Sequence, residues 1–93
     1  MAETTIRYVV RFSGQVRGVG FRATTIAVAR GLEVNGIVRN EPDGSVKLDV
    51  DGTEQVLKEL LKRIESAMAG RIDDLQIDSL PSLERKDGLR IEY

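Results

Sequence analysis

The chain has 93 residues with 14 basic against 15 acidic side chains, a formal charge of −1, and neither cysteine nor histidine. That length serves a single domain over residues 1–93 with a modest core, and the balanced charge gives no bulk attraction to nucleic acid or anionic membrane, so any anion site has to be local. Without cysteine there is no disulfide framework, thiol nucleophile or thiolate metal site, and without histidine the commonest general base, the phosphohistidine route and the usual zinc ligand are gone.

Met1 to Ile6 carries no basic-then-apolar leader, and no apolar run approaches the ~20 residues of a membrane span, so a cytoplasmic location is expected. Ile6 to Phe12 reads as a strand, with Ile6, Tyr8, Val10 and Phe12 on one face and Val9 on the other, the pattern of a central strand. Gly14 to Arg22 follows, a loop with three glycines and two arginines. Phe21 to about Arg30 reads as a helix stopped by Gly31, and Val34 to Asn40 as a second strand. Glu41-Pro42-Asp43-Gly44 has the composition of a hairpin turn. Ser45 to Asp51 alternates, with Val46, Leu48 and Val50 inward and Lys47, Asp49 and Asp51 outward. From about Thr53 to Ala69, Val56, Leu57, Leu60, Leu61, Ile64 and Met68 recur at helical spacing on one stripe. Ile72 to Leu80 is a fourth strand ended by Pro81, and Leu89 to Tyr93 a short last one. The order β-α-β-β-α-β plus an edge strand predicts an α+β fold, a ferredoxin-like α/β sandwich with an antiparallel sheet and two helices on one face.

The glycine loop invites several readings. Glycines let successive N–H groups converge into an anion-binding concavity, and a helix starting near Phe21 adds free N–H groups and the positive end of its dipole. Gly18-x-Gly20-x-x-Ala23 loosely fits a dinucleotide fingerprint, but that motif needs a parallel βαβ crossover, and here a hairpin follows. A phosphate-binding P-loop needs Gly-Lys-Ser/Thr where this chain has Gly20-Phe21-Arg22. A plain structural turn with a solvated Arg22 is the remaining reading from the residues alone. Taken together, however, Gly14-x-Val16-x-Gly18-Val19-x-Phe21-Arg22 and Gly36-x-Val38-x-Asn40-x-x-Asp43-Gly44-x-Val46 resemble the paired signature of acylphosphatases. The resemblance extends over the whole chain, including its length, element order and the final Ile91-x-Tyr93. Position 17 departs from it, because the family usually has glutamine where this chain has Arg17, a change that bears on loop electrostatics, substrate preference and rate.

The resemblance implies hydrolysis of a carboxyl-phosphate bond to carboxylate and inorganic phosphate, with no metal and no cofactor. It assigns phosphate binding to the loop amides of Gln15, Val16, Arg17, Gly18, Val19 and Gly20 together with the fork of Arg22, and the orientation of a water molecule to Asn40. Such a reaction needs positioning and charge neutralisation more than a strong base, because its transition state is largely dissociative. The alternative for Asn40 is a side chain bonded to the turn before Pro42; the alternative for the domain is a module that holds phosphate or an acyl phosphate without turning it over, like the similar domains at the start of larger hydrogenase maturation factors. Asp49, Asp51 and Glu54 lack the ligand spacing of a calcium loop and read as an outward strand face running into a helix start. Arg7, Arg11, Arg17, Arg30 and Arg39 could form a basic strip, but an RNA-binding sheet needs aromatics on its open face, and Tyr8 and Phe12 read as core. The expectation is a monomer acting on a small acyl phosphate, with neither nucleic acid nor membrane as partner.

Overall fold

A computed structural model describes residues 4–93; of the Met1–Ile6 segment read for a leader, residues 1–3 lie outside the described residues. Strand β1 (Thr5–Gly14) is followed by helix α1 (Phe21–Val28), the hairpin β2 (Asn35–Asn40) and β3 (Val46–Thr53), helix α2 (Glu54–Ala67), β4 (Ile72–Pro81) and β5 (Leu89–Ile91). The sheet order is β4-β1-β3-β2-β5, so β1 is central, paired antiparallel to β3 and to β4, as its two apolar faces predict. This is the ferredoxin-like arrangement with an added edge strand. The sheet is mixed rather than wholly antiparallel, because Leu89–Ile91 runs parallel to Gly36–Val38. The geometry forces that direction: Pro81 pairs with Ile6, so β4 ends where β1 and β2 begin, and β5 starts from that same end.

The elements begin and end where local chemistry dictates. The Thr53 hydroxyl accepts the Val56 N–H at 3.2 Å, capping α2 and placing the helix start one residue after the expected one. Helix α1 stops at Val28 rather than Arg30, with Ala29 as its C-cap and Gly31 (φ 83°) two residues further into the turn. In the hairpin, the Asp43 carboxylate accepts the Ser45 N–H at 2.9 Å and its hydroxyl at 2.6 Å, while Gly44 takes the left-handed conformation.

One face of the sheet presents Tyr8, Val10, Phe12, Val38, Val46, Leu48 and Val50, all buried. Phe21 and Thr25 of α1 and Leu57, Leu60, Leu61 and Ile64 of α2 close over it. Burying each large aliphatic or aromatic side chain contributes about 1.5–3 kcal/mol before entropy is counted, which is how so short a chain holds two helices in place.

The opposite face corrects one reading. Asp49 and Asp51 do point away from the helices, as the alternation predicts, but they are buried, at 6% and 2% exposure, rather than solvated. The connection from β4 to β5 covers them. Arg7 grips Asp49 with Nε and Nη2, both at 2.8 Å, and Arg85 reaches Asp51 with Nε at 2.9 Å and Asp49 with Nη2. The amides of Leu83 and Arg85 also donate to Asp51, at 3.1 and 3.2 Å. The hydrogen bond from Arg7, opposed by burial and reinforced by Arg85, pulls the Asp49 pKa from 3.8 down to about 2.

Candidate active site

The segment between β1 and α1 is built to leave its backbone open. Gly14 starts it at φ 124°, at an irregularity in the β1–β4 register. A Cβ there would meet the Arg71 carbonyl oxygen at 2.6 Å and the Asp73 nitrogen at 2.7 Å, so the close approach requires glycine. The Gln15 N–H then donates to the Arg71 oxygen at 2.8 Å, which ties the loop's entry to the start of β4. Val16 (1% exposed) and Phe21 (2%) insert into the core as anchors, the Phe21 ring 4.9 Å from that of Phe12. Between the anchors, Gly18 and Gly20 adopt φ of 71° and 73°.

The consequence is a run of unspent donors. From Val16 to Ala23 the amides donate to no protein oxygen among the described residues; the first helical bond runs from Thr24 N–H to the Gly20 oxygen at 2.8 Å. Gly20 caps α1 without any side-chain acceptor, so the helix start keeps its positive end exposed. A backbone curved by left-handed glycines, with free N–H groups leading into a helix, is a nest for an oxyanion.

These elements converge on a cleft of about 220 Å³ lined by Val16, Gly18, Gly20, Phe21, Arg22, Ala23, Asn40, Ile91 and Tyr93. Of the residues singled out in the sequence, the structure brings Val16, Gly18, Gly20, Arg22 and Asn40 to it; Gln15, Arg17 and Val19 belong to the same loop but do not line the cleft. Arg22 stands in the first turn of α1, its guanidinium 5.0 Å from the centre of the Tyr93 ring, which is otherwise in solvent. Asn40 is the last residue of β2, paired with Val46, and its carboxamide has no protein partner among the described residues. The turn needs nothing from it, because Asp43 supplies the side-chain acceptor there. Ile91 and Tyr93 were visible in the sequence only as a terminal strand pattern; their place in the cleft follows from β5 lying beside β2.

A larger cavity, about 280 Å³, opens at the other end of the sheet and includes Glu33, Asn35, Asp51, Glu84 and Arg85. Its buried Asp51 and half-buried Arg85 are paired with each other, so this cavity offers an oxyanion no free guanidinium from Arg85.

A cleft of free amides, one guanidinium and one neutral carboxamide can hold a phosphoryl group and direct a water molecule at it. Comparison with known proteins agrees with that chemistry. A family model described as acylphosphatase matches residues 8–91. An acylphosphatase of Salinibacter ruber (strain DSM 13855 / M31) is 37% identical over 89 residues, spanning 95% of this chain and 94% of the relative. One from Paenarthrobacter aurescens (strain TC1) is 35% identical over 92 residues and 98% of each chain. The crystal structure of acylphosphatase from Bacillus subtilis superposes with a TM-score of 0.85 at 27% identity, covering 95% of this chain and 99% of that one.

Proposed function

The chain belongs to the acylphosphatase family, hydrolysing small acyl phosphates to carboxylate and inorganic phosphate, and we propose that the cleft between the glycine loop, Asn40 and Tyr93 is where it does so. The observation that carries this reading is the run of amides from Val16 to Ala23 without a protein acceptor, leading into the same cleft as Arg22 and Asn40. The amides and the Arg22 fork hold the phosphoryl oxygens. A unit charge pair at ~4 Å and an effective dielectric of ~20 attracts by about 4 kcal/mol before desolvation is charged against it, enough to make Arg22 the main determinant of binding.

Asn40 orients a water molecule toward phosphorus. Its carboxamide is neutral and takes no proton, so the water's proton passes to a phosphoryl oxygen of the substrate. The new O–P bond forms as the acyl C–O–P linkage opens on the acyl side of phosphorus, and the carboxylate leaves with the bonding pair. A carboxylate is a good leaving group, so no general acid has to protonate it. This route calls on no metal, and the reading takes the enzyme as a cytoplasmic monomer with one domain and no nucleic-acid partner. No helix among the described residues is long and apolar enough to cross a membrane.

Hydrolysis of benzoyl phosphate, followed by ultraviolet absorbance with chelator present, tests the assignment. Asn40→Ala is expected to lose about 100–1000-fold in kcat, the effect of removing one preorganised polar group, while inorganic phosphate still inhibits it as it inhibits the wild type. Wild-type turnover no faster than buffer would favour the module that binds phosphate without hydrolysis; an Asn40→Ala variant as fast as wild type would remove Asn40 from the mechanism.

A further inference from the structure

Strand β2 presents its last two residues to opposite faces of the sheet: Asn40 lines the cleft, and Arg39 stands on the face away from the helices. Strand β5 and the residues after it repeat the alternation one position over. Ile91 and Tyr93 line the cleft, and Glu92 between them points to the other side. The two outward residues meet, Arg39 Nη1 donating to Glu92 Oε1 at 2.8 Å. Arg39 Nε lies 3.4 Å from Glu41 Oε2, just beyond Asn40 in the chain. This Nε is buried and has no hydrogen-bond partner, and the Glu41 carboxylate sets a second negative charge beside the guanidinium that Glu92 already pairs.

The backbone tie at this edge is slight. β5 is three residues long and parallel to β2, and the Glu92 N–H to the Val38 oxygen, at 2.9 Å, is the last main-chain bond before Tyr93. Parallel pairs of that length hold little by themselves. The acid–guanidinium–acid bridge crosses from β2 to β5 at the point where the two cleft walls, Asn40 and Ile91–Tyr93, have to keep their separation.

We propose that Arg39 is a positioning residue that sets the acyl side of the cleft: by bridging Glu92 and Glu41 it holds Ile91 and Tyr93 against Asn40, and so determines which acyl groups the enzyme accepts. The proposal rests on the acylphosphatase reading of the cleft. The phosphoryl side is made by the loop and Arg22, which Arg39 does not touch, so loss of the bridge leaves phosphoryl chemistry intact and blurs discrimination between acyl groups. Arg39 and Glu92 are each more than a third exposed, and such pairs are individually weak, so the effect is several-fold rather than orders of magnitude.

The test is steady-state kinetics of the full chain with a large and a small substrate, benzoyl phosphate and acetyl phosphate. Arg39→Gln is expected to raise KM for benzoyl phosphate about three- to tenfold, with kcat, the KM for acetyl phosphate and inhibition by inorganic phosphate all within about twofold of wild type. Arg39→Lys, which keeps the charge but not the two-sided fork, recovers part of the loss. In a Tyr93→Ala background, Arg39→Gln changes the benzoyl phosphate KM less than about twofold, because the wall it positions is already gone. Equal losses on both substrates, or an undiminished effect in the Tyr93→Ala background, would overturn the proposal. Should Arg39→Gln fail to fold, Glu92→Ala removes the acceptor at the exposed end of the same bridge and is held to the same expectations. Wild type inactive on both compounds defeats the reading of the cleft as a hydrolytic site, an outcome distinct from an active enzyme whose selectivity ignores Arg39.

Discussion

Arg22 stands against an aromatic ring, and no ion pair among the described residues takes up its charge, as its proposed role in binding phosphate requires. Replacing it separates charge from shape. Arg22→Ala is expected to reduce kcat/KM by at least about 100-fold and to weaken inhibition by inorganic phosphate in parallel, since the same cation serves the bound substrate and the transition state. Arg22→Lys returns the charge without the planar pair of donors and falls between the two. Kinetics and phosphate inhibition of the three proteins check this; an Arg22→Ala enzyme that bound phosphate normally would shift the whole burden of binding to the amides. At this scale much of the candidate cleft was legible. Gly18, Gly20 and Arg22 stand out because positive φ and a guanidinium fork are properties of single residues. Asn40 was singled out only through the paired motifs, a strand-end carboxamide alone being equally a turn side chain. Tyr93 and the Arg39–Glu92 bridge were not legible in the same way, since nothing local to positions 39 and 92 connects them across 53 residues.

Strand alternation placed Asp49 and Asp51 on the correct face and still misjudged their surroundings. The cover comes from residues 82–88, a segment between the last two strands with no periodicity of its own. Its attachment is chemical: Arg85 crosses to two aspartates on β3, and the backbone follows. Truncating Arg85 leaves Asp51 buried with only amide donors and Asp49 with Arg7 alone. Arg85→Ala is expected to cost about 3 kcal/mol, the low end for orphaning a buried charge, read as a lower urea midpoint with unchanged slope. The same change frees the backbone of residues 82–88, so the Leu83 and Arg85 amides should exchange with solvent faster than in the wild type. A variant as stable as wild type would mean that the apolar and backbone contacts of the segment suffice without the ion pairs. The helices, by contrast, were read to within a few residues: α2 because its buried stripe is written in the spacing of Leu57, Leu60, Leu61 and Ile64, and α1 because a glycine loop precedes it and Gly31 lies just beyond it.

The molecule as a whole rests on one small core and one buried cluster of charges, and acid separates the two. The Asp49 carboxyl is held at about 2 in the folded protein against 3.8 ordinarily, so it contributes stability above the unfolded value that is lost as pH falls through the folded one. The shift corresponds to on the order of 2 kcal/mol at most. Asp51 adds in the same direction: burial pushes its pKa up, but Arg85 and the amides of Leu83 and Arg85 more than reverse this. Denaturant midpoints measured from pH 6 to pH 2 should therefore fall, most steeply below about pH 4, and Asp49→Asn should flatten that fall while lowering stability at neutral pH. A midpoint independent of pH in the wild type would remove the aspartate cluster from the account. The cleft is made differently, since the side chains lining it include neither a carboxylate nor an imidazole and its donors are largely peptide amides, which carry no titrating proton. An acid edge in this enzyme's activity is then a melting curve laid over the titration of the substrate: apart from the protons that the phosphoryl oxygens themselves take up, the catalyst is lost to acid only with the sheet that carries it.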